Sequence, residues 1–169
     1  MKRIFSTLLI LAVFTISTFA QTEISKAQAN FIYNFTKFFD WPQSEKTGDF
    51  VIGVLGSREL SAELEKVTTG KKNVTQNIVV KNFTSINQVT KCHVIFVDAL
   101  QSNKMVNIHN KTGVHCLIIS NSISAIKKGA IIKFVLDSDR LKYEFSKSNA
   151  LNHGLKFHSK VAEMASKNH

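Results

Sequence analysis

Phe50-Val51-Ile52-Gly53-Val54-Leu55-Gly56-Ser57 is the stretch that decides the fold class of this chain. Its first six residues form an apolar run without polar alternation, the pattern of a short strand buried on both faces of a sheet. Gly56-Ser57 turns the chain into Arg58 to Val67, where Leu60 and Leu64 share one helical face and Gly70 supplies the stop. A buried strand feeding an amphipathic helix is the opening of a βα unit, and such units build parallel sheets. The alternation continues downstream. Asn77 to Lys81 and Cys92 to Val97 read as strands, joined through a short helical or irregular stretch from Ser85 to Val89. Ala99 to Ile108 reads as a helix closed by Gly113, and Val114 to Ser120 as a fourth strand. Ala130 to Leu136 and Arg140 to Phe145 flank Asp137-Ser138-Asp139, turn chemistry that makes them a hairpin. Ser148 to Ser166 reads as a terminal helix interrupted by Gly154. Together these elements predict an α/β fold: three layers, a mostly parallel sheet with an antiparallel C-terminal hairpin, and flanking helices.

Upstream of the first strand, Ile24, Ala27, Phe31, Phe35 and Phe38 recur at three- and four-residue steps, so Thr22 to Asp40 reads as a helix with one apolar stripe. Trp41-Pro42 stops it, because the residue before proline is pushed out of the α region. Residues 1–20 read as a signal peptide. Lys2 and Arg3 precede the apolar run Ile4 to Ile16, and Thr18 and Ala20 occupy the small-residue positions before Gln21. That core is shorter than the roughly 20 apolar residues of a spanning helix, and no cysteine follows Ala20 to carry a lipid. Residues 21–169 are then one domain, exported to the periplasm.

The formal charge of +10 includes Lys2 and Arg3, and the remaining lysines are scattered as singlets and doublets. Little arginine is present to read bases, so nucleic acid is excluded as the partner class. A solvated basic surface that attracts an acidic partner is the expectation.

Cys92-His93 opens one strand and His115-Cys116 the next. Strand alternation places each cysteine opposite its neighbouring histidine, which disfavours four-fold metal ligation and leaves a cysteine pair on one face. A disulfide and two buried thiols both fit that pair. Gly56, Ser57, Asp98 and Ser120 fall at the carboxyl ends of strands, where open α/β sheets form a ligand crevice; a tight strand-to-helix turn explains the glycines equally well. No nucleophile elbow and no metal-protease spacing occurs, and nothing calls for a cofactor. Glu144 sits mid-strand in a structural position.

The segment Lys26-Ala27 through Phe31-Ile32-Tyr33-Asn34-Phe35-Thr36-Lys37-Phe38-Phe39-Asp40-Trp41-Pro42 resembles the opening signature of the YfiR family. Phe50 to Gly56 is similar to its first strand and Cys92 to Val97 to its C-H-V strand. The tail resembles it at Gly129, Ala130-Ile131-Ile132, Glu144, Asn149-Ala150, Gly154-Leu155 and Ser159. The chain departs from the family in Lys128-Gly129 for a glycine pair, in Ser146 for asparagine, in Lys160 for arginine, and in lacking the second cysteine pair of some relatives. The resemblance implies a non-catalytic periplasmic regulator that binds a membrane-bound diguanylate cyclase, or in other genomes a sensor histidine kinase, and it is compatible with a homodimer. Under that reading Trp41, Pro42, Asn34 and Lys37 are candidate partner contacts, with a helix-end core position as the other reading of Trp41. The alternative function is a small-molecule sensor using the crevice at Gly56 and Ser57.

Overall fold

The computed structural model describes residues 22–169; the expected signal peptide lies outside them. Helix α1 occupies residues 22–38. Of the predicted stripe Phe35 alone is fully buried, with Ile24, Ala27, Phe31 and Phe38 half-buried; Ala29 and Ile32 fill the core beside it, and Phe35 meets Tyr143 edge-on with ring centroids 5.0 Å apart. The helix ends two residues earlier than its periodicity suggests. Phe39–Asp40 (β1) goes extended and pairs antiparallel with Lys156–Phe157 (β9), and Pro42 stays extended at φ −62°, ψ 159°.

The main sheet is built on β2 (Phe50–Leu55), β5 (Val94–Val97), β6 (Leu117–Ser120) and β7 (Ile132–Asp137). Its strands β3 (Lys72–Asn73), β4 (Gln76–Phe83), β8 (Arg140–Phe145) and β10 (Lys167–Asn168) complete the order β10-β8-β7-β6-β5-β2-β4-β3. Five neighbours, β4, β2, β5, β6 and β7, run parallel, and β7 pairs antiparallel with β8. The predicted hairpin is therefore present, but it is not the edge. The C-terminal strand β10 adds outside it, parallel to β8.

Helices cover both faces. Helix α2 (Arg58–Thr68), capped by Ser57 Oγ accepting from Leu60 N at 3.3 Å, shares one core with α1. That core is aromatic: Phe35, Phe39, Trp41, Phe50, Phe96, Phe134, Tyr143 and Phe145. The opposite face holds Leu55, Cys92, Ile95, Cys116 and Ile118 under α3 (Met105–Thr112) and short 3-10 turns at Ala99–Lys104 and Ile126–Lys128. Gly53 is required by this packing, since a Cβ there would come within 2.9 Å of both Cys92 Sγ and the Phe83 ring.

The predicted terminal helix is corrected. It breaks into α4 (Lys147–Asn152), β9, α5 (Lys160–Glu163) and β10. Gly154 adopts φ +62°, and a Cβ at that position would meet the His115 ring at 2.9 Å, so the chain turns where only glycine fits.

Candidate functional site

The carboxyl ends of the parallel strands bring together the four crevice residues expected from the sequence. Gly56 follows β2 at φ +91°, and a Cβ there would meet Gln101 Cγ at 2.8 Å and Asp98 Cβ at 3.1 Å. Asp98 follows β5, Ser120 ends β6, and Asp98 N donates to Leu55 O at 2.9 Å. Their polar atoms are spent locally. Ser57 Oγ caps α2, and Ser120 Oγ accepts from Ser122 N at 3.1 Å. Asp98 caps the following turn, with Oδ1 accepting from Leu100 N at 3.0 Å and Oδ2 accepting from Asn121 Nδ2 at 3.2 Å. Asn121 Oδ1 is buried without a hydrogen-bond partner.

What this edge presents outward is apolar, and the sequence reading missed it. Leu100 is 89 % exposed, Ile123 95 % and Leu136 54 %. Ile123 and Leu136 line one groove of about 250 Å³ with Asn121 and Lys133. The Asp98–Asn121 bond ties the Leu100 loop to the Ile123 loop. Single exposed leucines are ordinary; here Ile123 and Leu136 share a groove, and Leu100 lies on the neighbouring turn. Leu100 and Ile123 lie in turns that carry no repeat to read, and Leu136 sits near the end of β7, where strand alternation does not say which positions stay uncovered.

Beneath the crevice, Lys133 pairs with Glu144 at 2.9 Å, and Glu144 also meets His169 Nε2 at 2.7 Å. Burial raises the Glu144 carboxyl, but the hydrogen bonds from Lys133 and His169 outweigh it and hold it below the usual range. Glu144 thus ties β7, β8 and the C-terminus together.

At the other end of the sheet Trp41 takes the core position, the second of its two readings. It is 3 % exposed, stands edge-on to Phe50 with centroids 4.8 Å apart, and donates from Nε1 to His115 O at 2.9 Å. A buried indole with its single donor satisfied offers a partner nothing. Pro42 is half-buried, while Asn34 and Lys37 are exposed on α1. The Lys37 ammonium lies 4.2 Å from the centre of the Tyr33 ring, which Lys71 approaches at 4.3 Å.

His93 stacks on Phe50 with centroids 4.5 Å apart. Its Nδ1 accepts from Val51 N at 3.0 Å and its Nε2 donates to Glu45 O at 2.9 Å. Both nitrogens are occupied, and adding a proton at Nδ1 would cost the Val51 bond. Burial pushes its pKa down. Cys92 and Cys116 lie on the opposite face, both buried and both free thiols. Burial pushes the Cys92 thiol up to about 12, and Cys116 is raised well above its ordinary value for the same reason. Among the described residues, no group of three or more His, Cys, Asp and Glu could hold a metal ion. No described helix is long and apolar enough to cross a membrane.

Residues 25–166 match the YfiR/HmsC-like family, and no curated protein matches the chain. The chain belongs to that family, which is a regulatory one and periplasmic, and membership implies a regulator of cyclic di-GMP signalling.

Proposed function

We propose that this YfiR/HmsC-like protein restrains the periplasmic part of a membrane-bound diguanylate cyclase by binding it, without catalysing a reaction itself. A sensor histidine kinase is the alternative partner. The observation that carries the proposal is the exposed apolar edge at Leu100, Ile123 and Leu136, set on a rigid parallel sheet. Interfaces use such apolar centres ringed by polar groups, and Asn121, Lys133 and Asp98 supply the ring.

Restraint then follows from differential affinity. A regulator that binds only the inactive arrangement of its partner shifts the population by as much as its preference between the two states. Export through a cleaved signal peptide at residues 1–20 delivers the domain to the compartment where such a partner is accessible.

Deleting the gene should raise cyclic di-GMP in the native bacterium. Complementation with the wild-type gene should lower it again, and complementation with Ile123→Asp should fail although the variant protein accumulates and melts normally. Unchanged cyclic di-GMP on deletion sinks the cyclase reading. The small-molecule alternative draws its support from the unpartnered Asn121 Oδ1. A thermal-shift screen against periplasmic metabolites separates the two, because only a sensor shows a ligand-specific shift.

A further inference from the structure

A second groove lies on the cysteine-bearing face, between α3, the 3-10 turn at Ile126–Lys128 and the end of α4, with a volume of about 430 Å³. Its floor is apolar, made by Met105, Val106 and Ile118. Its walls are cationic or imidazole: Lys127, Lys128, His109 and His153. Among the described residues no carboxylate lines it.

One of the two lysines is held in place, while Lys127 is exposed. Lys128 Nζ donates to Ser102 O at 3.2 Å, which anchors it to the turn leading into α3. The buried His153 ring stands edge-on to His109 with centroids 4.8 Å apart, and its Nδ1 bonds Val114 O at 3.1 Å. That bond makes Nδ1 the donor of the neutral ring and leaves Nε2 with no hydrogen bond of its own. Asn149 Nδ2 donates to Ile126 O at 3.0 Å and Ala130 O at 2.7 Å, bracing the lysine-bearing turn against α4. Around this pocket the surface stays apolar: Val106 is 72 % exposed, and Leu151, beside Asn152, is 59 % exposed.

An apolar floor with basic walls and no acid complements one chemistry. We propose that this groove docks an acidic, apolar-containing segment of the protein partner, with an aliphatic side chain against Met105 and Val106 and carboxylates against Lys127, Lys128 and His109. The proposal rests on the regulator reading above and adds a second contact surface to it. Val106, on the groove, and Leu151, beside Asn152 at its rim, are exposed apolar side chains that a peptide segment covers and a small anion leaves in water. Charge matching across such a surface selects the partner and speeds encounter more than it adds raw affinity.

The test titrates the full mature chain, labelled for amide NMR, with a twelve-residue peptide of alternating glutamate and leucine. The same length of glutamine and leucine is the control. Saturable shifts at Val106, His109, Lys127 and Asn152 are expected, at least tenfold weaker for the glutamine peptide. Lys127→Glu should abolish them while its melting temperature stays within a degree or two of the parent, since Lys127 is exposed; His109→Glu serves as the second charge reversal. Shifts elsewhere, equal binding of both peptides, or binding unaffected by Lys127→Glu overturn the proposal. Acetate or phosphate alone occupying the same residues at the peptide's concentration overturns it in favour of a small-anion site. The failure of the regulator reading is a separate result, read as unchanged cyclic di-GMP on gene deletion, and the titration decides the groove in either case.

Discussion

The two faces of the sheet are built by different rules. The aromatic face lies under two long helices and closes into a ring network, in which Phe31, Phe35, Phe134 and Tyr143 contact one another within about 6.4 Å. The other face is covered by one eight-residue helix and short 3-10 turns. Short covers satisfy fewer of their own backbone groups and bury less apolar surface, so they leave grooves and exposed side chains behind. The contrast is one of degree, since a groove of about 290 Å³ between Phe31, Tyr143 and Met164 also opens on the aromatic face.

The largest test of that contrast is Phe35→Ala. Truncating a fully packed phenylalanine should cost about 3–5 kcal/mol, read as a fall in the urea midpoint at unchanged slope. A loss under about 1 kcal/mol would mean that the aromatic face does not carry the fold. Trp41→Phe comes next. It keeps the edge contact with Phe50 but leaves His115 O without its donor, at a cost of about 1–3 kcal/mol. If Trp41 were a surface contact instead, the stability would not move.

A pH series comes third. His93 and His153 both titrate below the ordinary imidazole value of 6.5, with burial as the leading cause. As pH falls, the unfolded chain takes up protons first. Their contribution to stability is therefore complete above 6.5 and is lost as pH drops through the folded values. Melting temperature should decline from pH 7.5 toward pH 5, and His93→Gln should flatten part of that slope. A melting temperature that rises over the same range would contradict the tautomer assigned to His93.

The thiols give a kinetic test. With Cys92 pushed up to about 12, almost no thiolate exists at neutral pH. Native protein purified without reductant should label at neither cysteine within minutes, and both should label once unfolded. Failure to label after unfolding would reveal a Cys92–Cys116 disulfide in the exported protein. The smallest stability effect belongs to Ile123→Asp, within about 0.5 kcal/mol of the parent, because its side chain is 95 % exposed. A large loss would place Ile123 in the core and remove it from the proposed contact surface.

Much of this architecture was legible because its signals are local. Phe50 to Leu55 followed by Leu60 and Leu64 announces a βα unit, and both the strand and the helix form where that pattern lies. Cys92 and His93 do face opposite cores as alternation suggests, although β5 itself begins only at Val94. The tail was misread for the opposite reason. Lys156–Phe157 and Lys167–Asn168 carry no strand signal, and they become strands only because β1 and β8 offer them free backbone edges.

Sequence by itself determined the α/β class, the break at Gly154, and the family to which the chain belongs, since each depends on residue identity over a few neighbours. Tertiary structure alone decided that Trp41 is a core residue, that Ile123 and Leu136 share a groove, and that Lys127, His109 and His153 surround another. Exposure and convergence are set by what packs from distant parts of the chain, and no local pattern encodes that.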